Sequence, residues 1–200
     1  REDREYIFHR VREDLEFACK NCLSSGAGIH TDGRVYINKY VAMAFASRFF
    51  LYEGTYRKYH DKNPSTGKVW NNDYESVEEL LTLAQTYSKA LIDENAFSLN
   101  PDYRALFVSA NLPTDEVIWG RTYSSELSVK HGTTYKYCST TSSKQYSPTK
   151  EYVRMFLKTD GSLAEGEVSV TQEFQNRDKR LAASVLTPGA QWRDAGGNLK

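Results

Sequence analysis

Residues 37–54, INKYVAMAFASRFFLYEG, constrain the fold more than any other stretch of the chain. They are apolar on nearly every side over about four to five helical turns, and Ala42, Ala44 and Ala46 alternate with large side chains. Such a helix has no face to offer water, so it must lie between neighbours, and the small residues let those neighbours come close. Gly54 is the expected stop, because glycine takes the left-handed conformation that ends many helices.

The flanking segments supply the neighbours. Upstream, Ile7, Val11, Leu15, Ala18 and Cys22 recur at spacings of three and four, which predicts one apolar helix face closed by the SSGAG stretch at 24–28. Downstream of the polar loop KNPSTGKVWNND, Ser76 and Glu79 have the spacing of a capping box. Val77, Leu80, Leu81, Ala84, Ser88, Leu91 and Ile92 then give an apolar face that ends near Asp93–Asn95. Two antiparallel helices with small-residue contacts are the unit of a tetratricopeptide-like repeat, although the strict repeat signature is absent.

Beyond this the character changes. LNPDYRALF at 99–107 predicts a short helix opened by Pro101, and EVIWGRTYS at 116–124 is β-branched and aromatic enough to predict a strand. A Gly, Ser, Thr and Tyr-rich loop fills 125–146, longer than a compact domain normally leaves without structure. PTKEYVRMFLK follows as a helix with Tyr152, Val153, Phe156 and Leu157 inward, ended by a turn at DGS, 160–162. The expected organisation is a mostly α fold: a helical, tetratricopeptide-like part over 1–107, and a loop-rich part with short strands over 108–200 of the same domain.

Function is narrowed first by charge. Lys and Arg total 26 against 26 Asp and Glu, so no basic field exists to draw in nucleic acid. No phosphate-loop, dinucleotide, nucleophile-elbow or zinc-protease motif occurs, so the common enzyme classes readable from sequence are unsupported, while a carboxylate pair for glycoside hydrolysis has no signature in sequence spacing. Cys19 and Cys22 form a lone CxxC at a helix end, with Cys138 distant and His9, His30, His60 and His131 scattered, so neither a disulfide framework nor a metal site is expected. Nothing resembles a signal peptide or a membrane-spanning apolar run. The charged opening REDREYIFHR and the closing GGNLK suggest a segment cut from a longer protein.

Rings are the stronger lead: 14 Tyr, 9 Phe and 3 Trp. Trp70 and Tyr74 lie in the loop before the third helix, Tyr135 and Tyr137 in the long loop, and Trp192 just past the TPGAQ turn. Two roles are open to them. They can cover helix ends, or offer flat apolar faces to the C–H side of a sugar ring while neighbouring polar groups bind its hydroxyls. The cluster NRDKRL at 176–181 raises a similar question, since it puts Arg177, Asp178 and Arg180 together in a neutral chain. A phosphate grip, a catalytic cluster and a structural ionic joint are the alternatives.

Four stretches in order resemble one family. RVYINKYVAMAFASRFFLYEGTY resembles the Ala-rich helix ending in Leu-Tyr-x-Gly of the SusD/RagB outer-membrane nutrient-binding proteins. FSLNPDYRALF with DEVIWGRTYS, SPTKEYVRMFLKTDGS and FQNRDKRLAASVLTPGAQW are similar to three further blocks of that family. Lys179 stands where the family usually has Pro. The resemblance implies tetratricopeptide-like helix pairs with an irregular second part, in a surface lipoprotein that captures glycans. It also implies a TonB-dependent, SusC-like outer-membrane transporter as partner and a lipid anchor outside this segment, with no cofactor and no catalysis. With it, Arg177, Asp178 and Arg180 take a structural role, Asp178 being held by Arg177 or Arg180, and Trp192 becomes the better ligand candidate. A tetratricopeptide-like protein-interaction scaffold without sugar binding is the alternative reading.

Overall fold

The computed structural model describes residues 2–24, 34–109, 111–124, 126, 128–129, 132, 147–166 and 169–191. They form seven helices: α1 (Arg4–Asn21), α2 (Lys39–Tyr59), α3 (Val77–Asp93), α4 (Ala105–Val108), α5 (Lys150–Met155), α6 (Val170–Glu173) and α7 (Lys179–Ser184). The chain divides into two compact units, Arg1–Asn100 with Ala110–Thr122, and Pro101–Ser109 with Tyr123–Lys200. Among the described residues strand pairing is limited to isolated bridges, so the protein is mostly helical.

The first unit is built on α2, which packs against α1 and along α3. Asn38 starts α2 by accepting hydrogen bonds from the Tyr40 and Val41 amides. Its buried side chains Met43, Ala46, Phe50 and Arg57 follow at spacings of three, four and seven. The expected stop at Gly54 is not one: the helix continues to Tyr59, and Gly54 is instead a point of close approach. A Cβ there would meet Leu81 Cδ2 at 2.9 Å, Leu81 Cγ at 3.1 Å and Leu80 Cβ at 3.3 Å. The helix is also not buried all round, since Phe45, Leu51 and Tyr52 are exposed.

Helix α3 opens with the capping box of Ser76 and Glu79 and stops before Asn95, whose φ is 51°. Gly54 late in α2 meets Leu80 and Leu81 early in α3, the Ser47 hydroxyl donates to the Ala84 carbonyl, and Lys39 pairs with Glu94 just past α3. The contacts run in opposite chain directions, so α2 and α3 are antiparallel. Ala46, Phe50 and Leu80 are fully buried between them, and Phe8 of α1 stacks on Phe49 at 4.7 Å. Burying a Phe or Leu side chain contributes about 1.5–3 kcal/mol, so this seam is the main apolar source of stability in the unit.

The buried face of α1 is turned by about one residue from the expected one. Ile7 is exposed, and Glu5, Phe8 and Cys19 are buried, with Leu15 and Ala18 packed on the core. A hydrophobic pattern rejects a stripe containing Glu5 and Arg12, yet both face inward because they have ionic partners there.

Residues 116–124 form no strand. The Val117 amide bonds to the Pro113 carbonyl, the Gly120 amide to Arg34 and the Trp119 indole to Val35, so this stretch wraps residues 34–35, and among the described residues only Ser124 pairs, through one bridge to Val129. The short helix expected from residue 99 begins only at Ala105, because Asp102 caps the Arg104 and Ala105 amides.

In the second unit, Thr149 caps α5 and Asp178 caps α7. Of the expected inward set, Val153 is buried and Phe156 half-buried, while Tyr152 and Leu157 are exposed. The helix ends at Met155, so Leu157 leaves the helical face. Leu157–Thr159 instead runs beside Asn176–Asp178 through a single bridge, Lys158 with Arg177. The expected turn at 160–162 is present, with Gly161 at φ 83° and Asp160 accepting from the Ser162 amide.

Gly54→Val adds branched bulk where even a Cβ is crowded. It should lower stability by about 1–3 kcal/mol, read as a lower urea midpoint at unchanged slope; an unchanged midpoint would show that α2 and α3 are not in close contact there.

Candidate functional site

Three acids and one arginine lie buried where the end of α2 meets α1 and the loop before α3. Glu5, Glu53, Glu75 and Arg57 are each at most 5% exposed, and Asn63 is fully buried among them. Arg57 Nε donates to Glu53 at 2.9 Å, Nη1 donates to the Glu75 carbonyl at 2.8 Å, and Nη1 lies 3.8 Å from Glu5. Arg4 closes on Glu53 with a two-pronged pair at 2.8 and 2.5 Å. Glu5 accepts from the Asn63 side chain and the Asn71 amide, pinning the loop to α1. His9 Nδ1 lies 2.8 Å from Glu75, and Arg12 donates to it at 2.9 Å. Burial pushes the Glu75 carboxyl up, but hydrogen bonds from His9, its own backbone amide and Arg12 prevail and hold it below the usual range.

On the outer side of this cluster the rings form a ladder. Tyr52, Tyr56 and His60 recur every four residues, so they project in line from the end of α2. Tyr52 stacks on Tyr56 at 6.1 Å and Tyr56 on His60 at 4.1 Å, while Trp70 meets Tyr56 edge-on at 6.3 Å. The Trp70 indole donates to the His60 carbonyl at 2.6 Å. Arg4 lies over the Tyr56 ring at 4.5 Å and Arg57 over the Trp70 ring at 4.9 Å. Tyr52 and His60 are exposed and Trp70 is half-buried, so the ladder has a rigid inner edge and an open outer one.

Of the ring candidates read from the sequence, Trp70 therefore belongs to a set, and Tyr74 belongs to a different one, lying 5.6 Å from the His9 ring. Tyr135, Tyr137 and Trp192 lie outside the described residues. Tyr52, Tyr56 and His60 were missed, although their spacing was visible, because reading Gly54 as a stop cut the helix short of Tyr56.

In the second unit NRDKRL divides two cavities. Arg177 is buried and donates to the Val153, Phe156 and Glu173 carbonyls, which makes it a brace for backbone. Asp178 caps α7 through the Arg180 amide and takes both Nε and Nη2 of Arg180, the latter at 2.6 Å; of its two possible partners it uses Arg180. The pair stands at the surface. The Thr159 amide bonds to the Asn176 carbonyl and the Asp178 amide to the Leu157 carbonyl. On one side of this wall, Lys158, Asp160, Glu165, Gln175 and Asn176 line a polar cavity of about 430 Å³. On the other, Leu157, Asp178 and Arg180 share a cleft of about 310 Å³ with Tyr152, Met155 and Phe156.

Cys19 and Cys22 are free thiols, and burial pushes Cys19 up to about 11, so it packs as an apolar group. No group of His, Cys, Asp and Glu suited to a metal ion occurs among the described residues, and none of their helices is long and apolar enough to cross a membrane.

Paired helices carrying a line of stacked rings, with a polar and a ring-lined cavity in a second unit, define a helical module with rings open to solvent. Comparison with known families then gives the lineage. Residues 115–198, which include NRDKRL, match the model of the SusD family. No curated protein and no solved structure matches the chain. The family as a whole binds glycans in nutrient uptake.

Hydrogen bonds from the Arg180 side chain and then its amide hold the Asp178 carboxyl down at about 2, against an ordinary value of 3.8. A carboxyl lowered on folding stabilises the fold above the unfolded value and loses that contribution as pH falls through the folded one. Asp178→Ala should therefore melt earlier than the parent at neutral pH, and the gap should close as pH drops from about 4 to about 2. A gap independent of pH over that window would show that the ion pair does not form in solution.

Proposed function

We propose that this protein captures glycans at the cell surface and delivers them to a TonB-dependent, SusC-like outer-membrane transporter, without catalysis and held at the membrane by a lipid anchor outside this segment. The family match supports the ligand class. The observation on this chain that carries the reading is the ladder of Tyr52, Tyr56, His60 and Trp70. Arginines over the inner rings fix their planes, while the outer rings remain open to solvent. A pyranose has one C–H face and a rim of hydroxyls, and a fixed ring beside charged and amide groups suits both.

The antiparallel α2–α3 pair favours a second reading. A tetratricopeptide-like unit would also need an antiparallel helix pair with a small residue at its contact, here Gly54, and Phe45, Leu51 and Tyr52 stand exposed on α2. A scaffold of that kind would recover a soluble helical or peptide partner in a pull-down and would bind no sugar.

Calorimetry of the intact protein against starch, xylan, mannan, pectin and their oligosaccharides separates the two. The expected result is binding to at least one glycan, weakened about tenfold by Tyr52→Ala or Trp70→Ala, the loss of one good stacking contact. Binding to peptides and to none of the glycans would overturn the reading.

A further inference from the structure

The cleft of about 310 Å³ in the second unit combines two kinds of wall. One is apolar: Tyr152 and Phe156 meet edge-to-face at 5.4 Å, beside Met155 and Leu157. Tyr152 is 43% exposed, so part of its ring is open to solvent. The other wall is the Asp178–Arg180 pair, which places an acceptor and a donor side by side. The carboxylate uses both oxygens on Arg180, and Arg180 Nη1 has no hydrogen-bond partner among the described residues.

We propose that this cleft is a second sugar subsite, taking one neutral pyranose ring of a glycan with its C–H face on Tyr152 and two adjacent hydroxyls on Asp178 and Arg180. The inference rests on the glycan reading above and adds to it a site in the SusD-matching part of the chain that shares no residue with the Tyr52–Trp70 ladder. Three features select this ligand. The volume is at the lower end of small-molecule sites, about 300–1,000 Å³, which suits a single ring and is too small for a helix. Each sugar hydroxyl both donates and accepts, and a carboxylate beside a guanidinium answers both demands. The charges of the pair already neutralise each other, so the cleft offers no net charge to a uronic acid or an amino sugar, which leaves a neutral ring as the simplest fit. Asp178 remains ionised down to about pH 2, so the acceptor persists across the physiological range.

The test titrates the intact protein with neutral hexaoses of glucose, xylose and mannose, using the parent, Tyr152→Ala, Tyr152→Phe and Trp70→Ala. Tyr152→Ala should weaken binding of the preferred hexaose about tenfold, and Tyr152→Phe, which keeps the ring, should change it less than about twofold. Tyr152→Phe should melt with the parent, and affinities are compared per folded molecule because Tyr152 also packs on Phe156. A hexaose bound equally by the parent and Tyr152→Ala, yet weakened by Trp70→Ala, would overturn the subsite and leave the glycan reading standing. Failure of the parent to bind any hexaose or polysaccharide would overturn both. Competition for the cleft by a hydrophobic peptide and by no sugar would also overturn the subsite.

Discussion

The helical unit depends on burying charge at the one place where α1, α2 and the loop before α3 converge. Arg57 and Glu5 are the hub: Arg57 ties α2 to the Glu75 backbone, and Glu5 holds Asn63 and the Asn71 amide of the loop. Taking three carboxylates out of water is costly, and the cost is offset because Arg57, Arg4 and Arg12 approach them and hydrogen bonds reach every carboxylate oxygen but Glu75 Oε2. A joint of this type adds little net stability over an apolar one. It specifies a single arrangement instead, because any shift of the loop strands a buried charge.

That specificity is what a stacking surface needs. Trp70 reaches its position by three constraints: its indole bond to His60, the edge contact with Tyr56 and the Arg57 guanidinium over its face. Tyr56 and Arg57 lie on α2 and His60 caps it, and Arg57 is also one of the buried charges. A ring fixed in this way would lose little freedom under the proposed stacking of a sugar, so more of the contact energy would appear as affinity. In the second unit Arg177 has a comparable duty, since its bonds to three carbonyls hold the wall against which Asp178 and Arg180 are displayed.

Much of this was legible in the sequence, and the failures share a cause. The capping box at Ser76 and Glu79, the turn at 160–162 and the buried seam of Ala46, Phe50 and Leu80 follow from local rules that the structure obeys. Gly54 was misread because a local rule treats glycine as a helix end, whereas here a neighbouring helix needs the missing side chain. The face of α1 was misread because Glu5 and Arg12 become inward residues only through partners distant in sequence. Residues 116–124 had strand composition, but a strand also needs a partner, and among the described residues only Ser124 finds one. Of the loop-borne rings singled out in the sequence, Trp70 stands in the ladder. The rest of the ladder sits on a helix, where ring spacing is easily taken for core.

NRDKRL illustrates how one stretch can hold two roles. The family match supports its place as a lineage marker, and the buried Arg177 supports a bracing role. The exposed Asp178–Arg180 pair, by contrast, faces a cleft with rings in it. Adjacent residues on a short extended segment point to opposite sides, which is enough to separate brace from display.

The central claim is that buried charge fixes the loop carrying Trp70, and hydrogen exchange on Glu5→Gln tests it most directly. The substitution sets an amide NH₂ where Glu5 now accepts from Asn63 or Asn71. The account predicts that the Asn63, Gly67 and Asn71 amides lose protection while those in the middle of α3 keep theirs. Unchanged protection at 63–71, or an even loss across α1, α2 and α3, would contradict it.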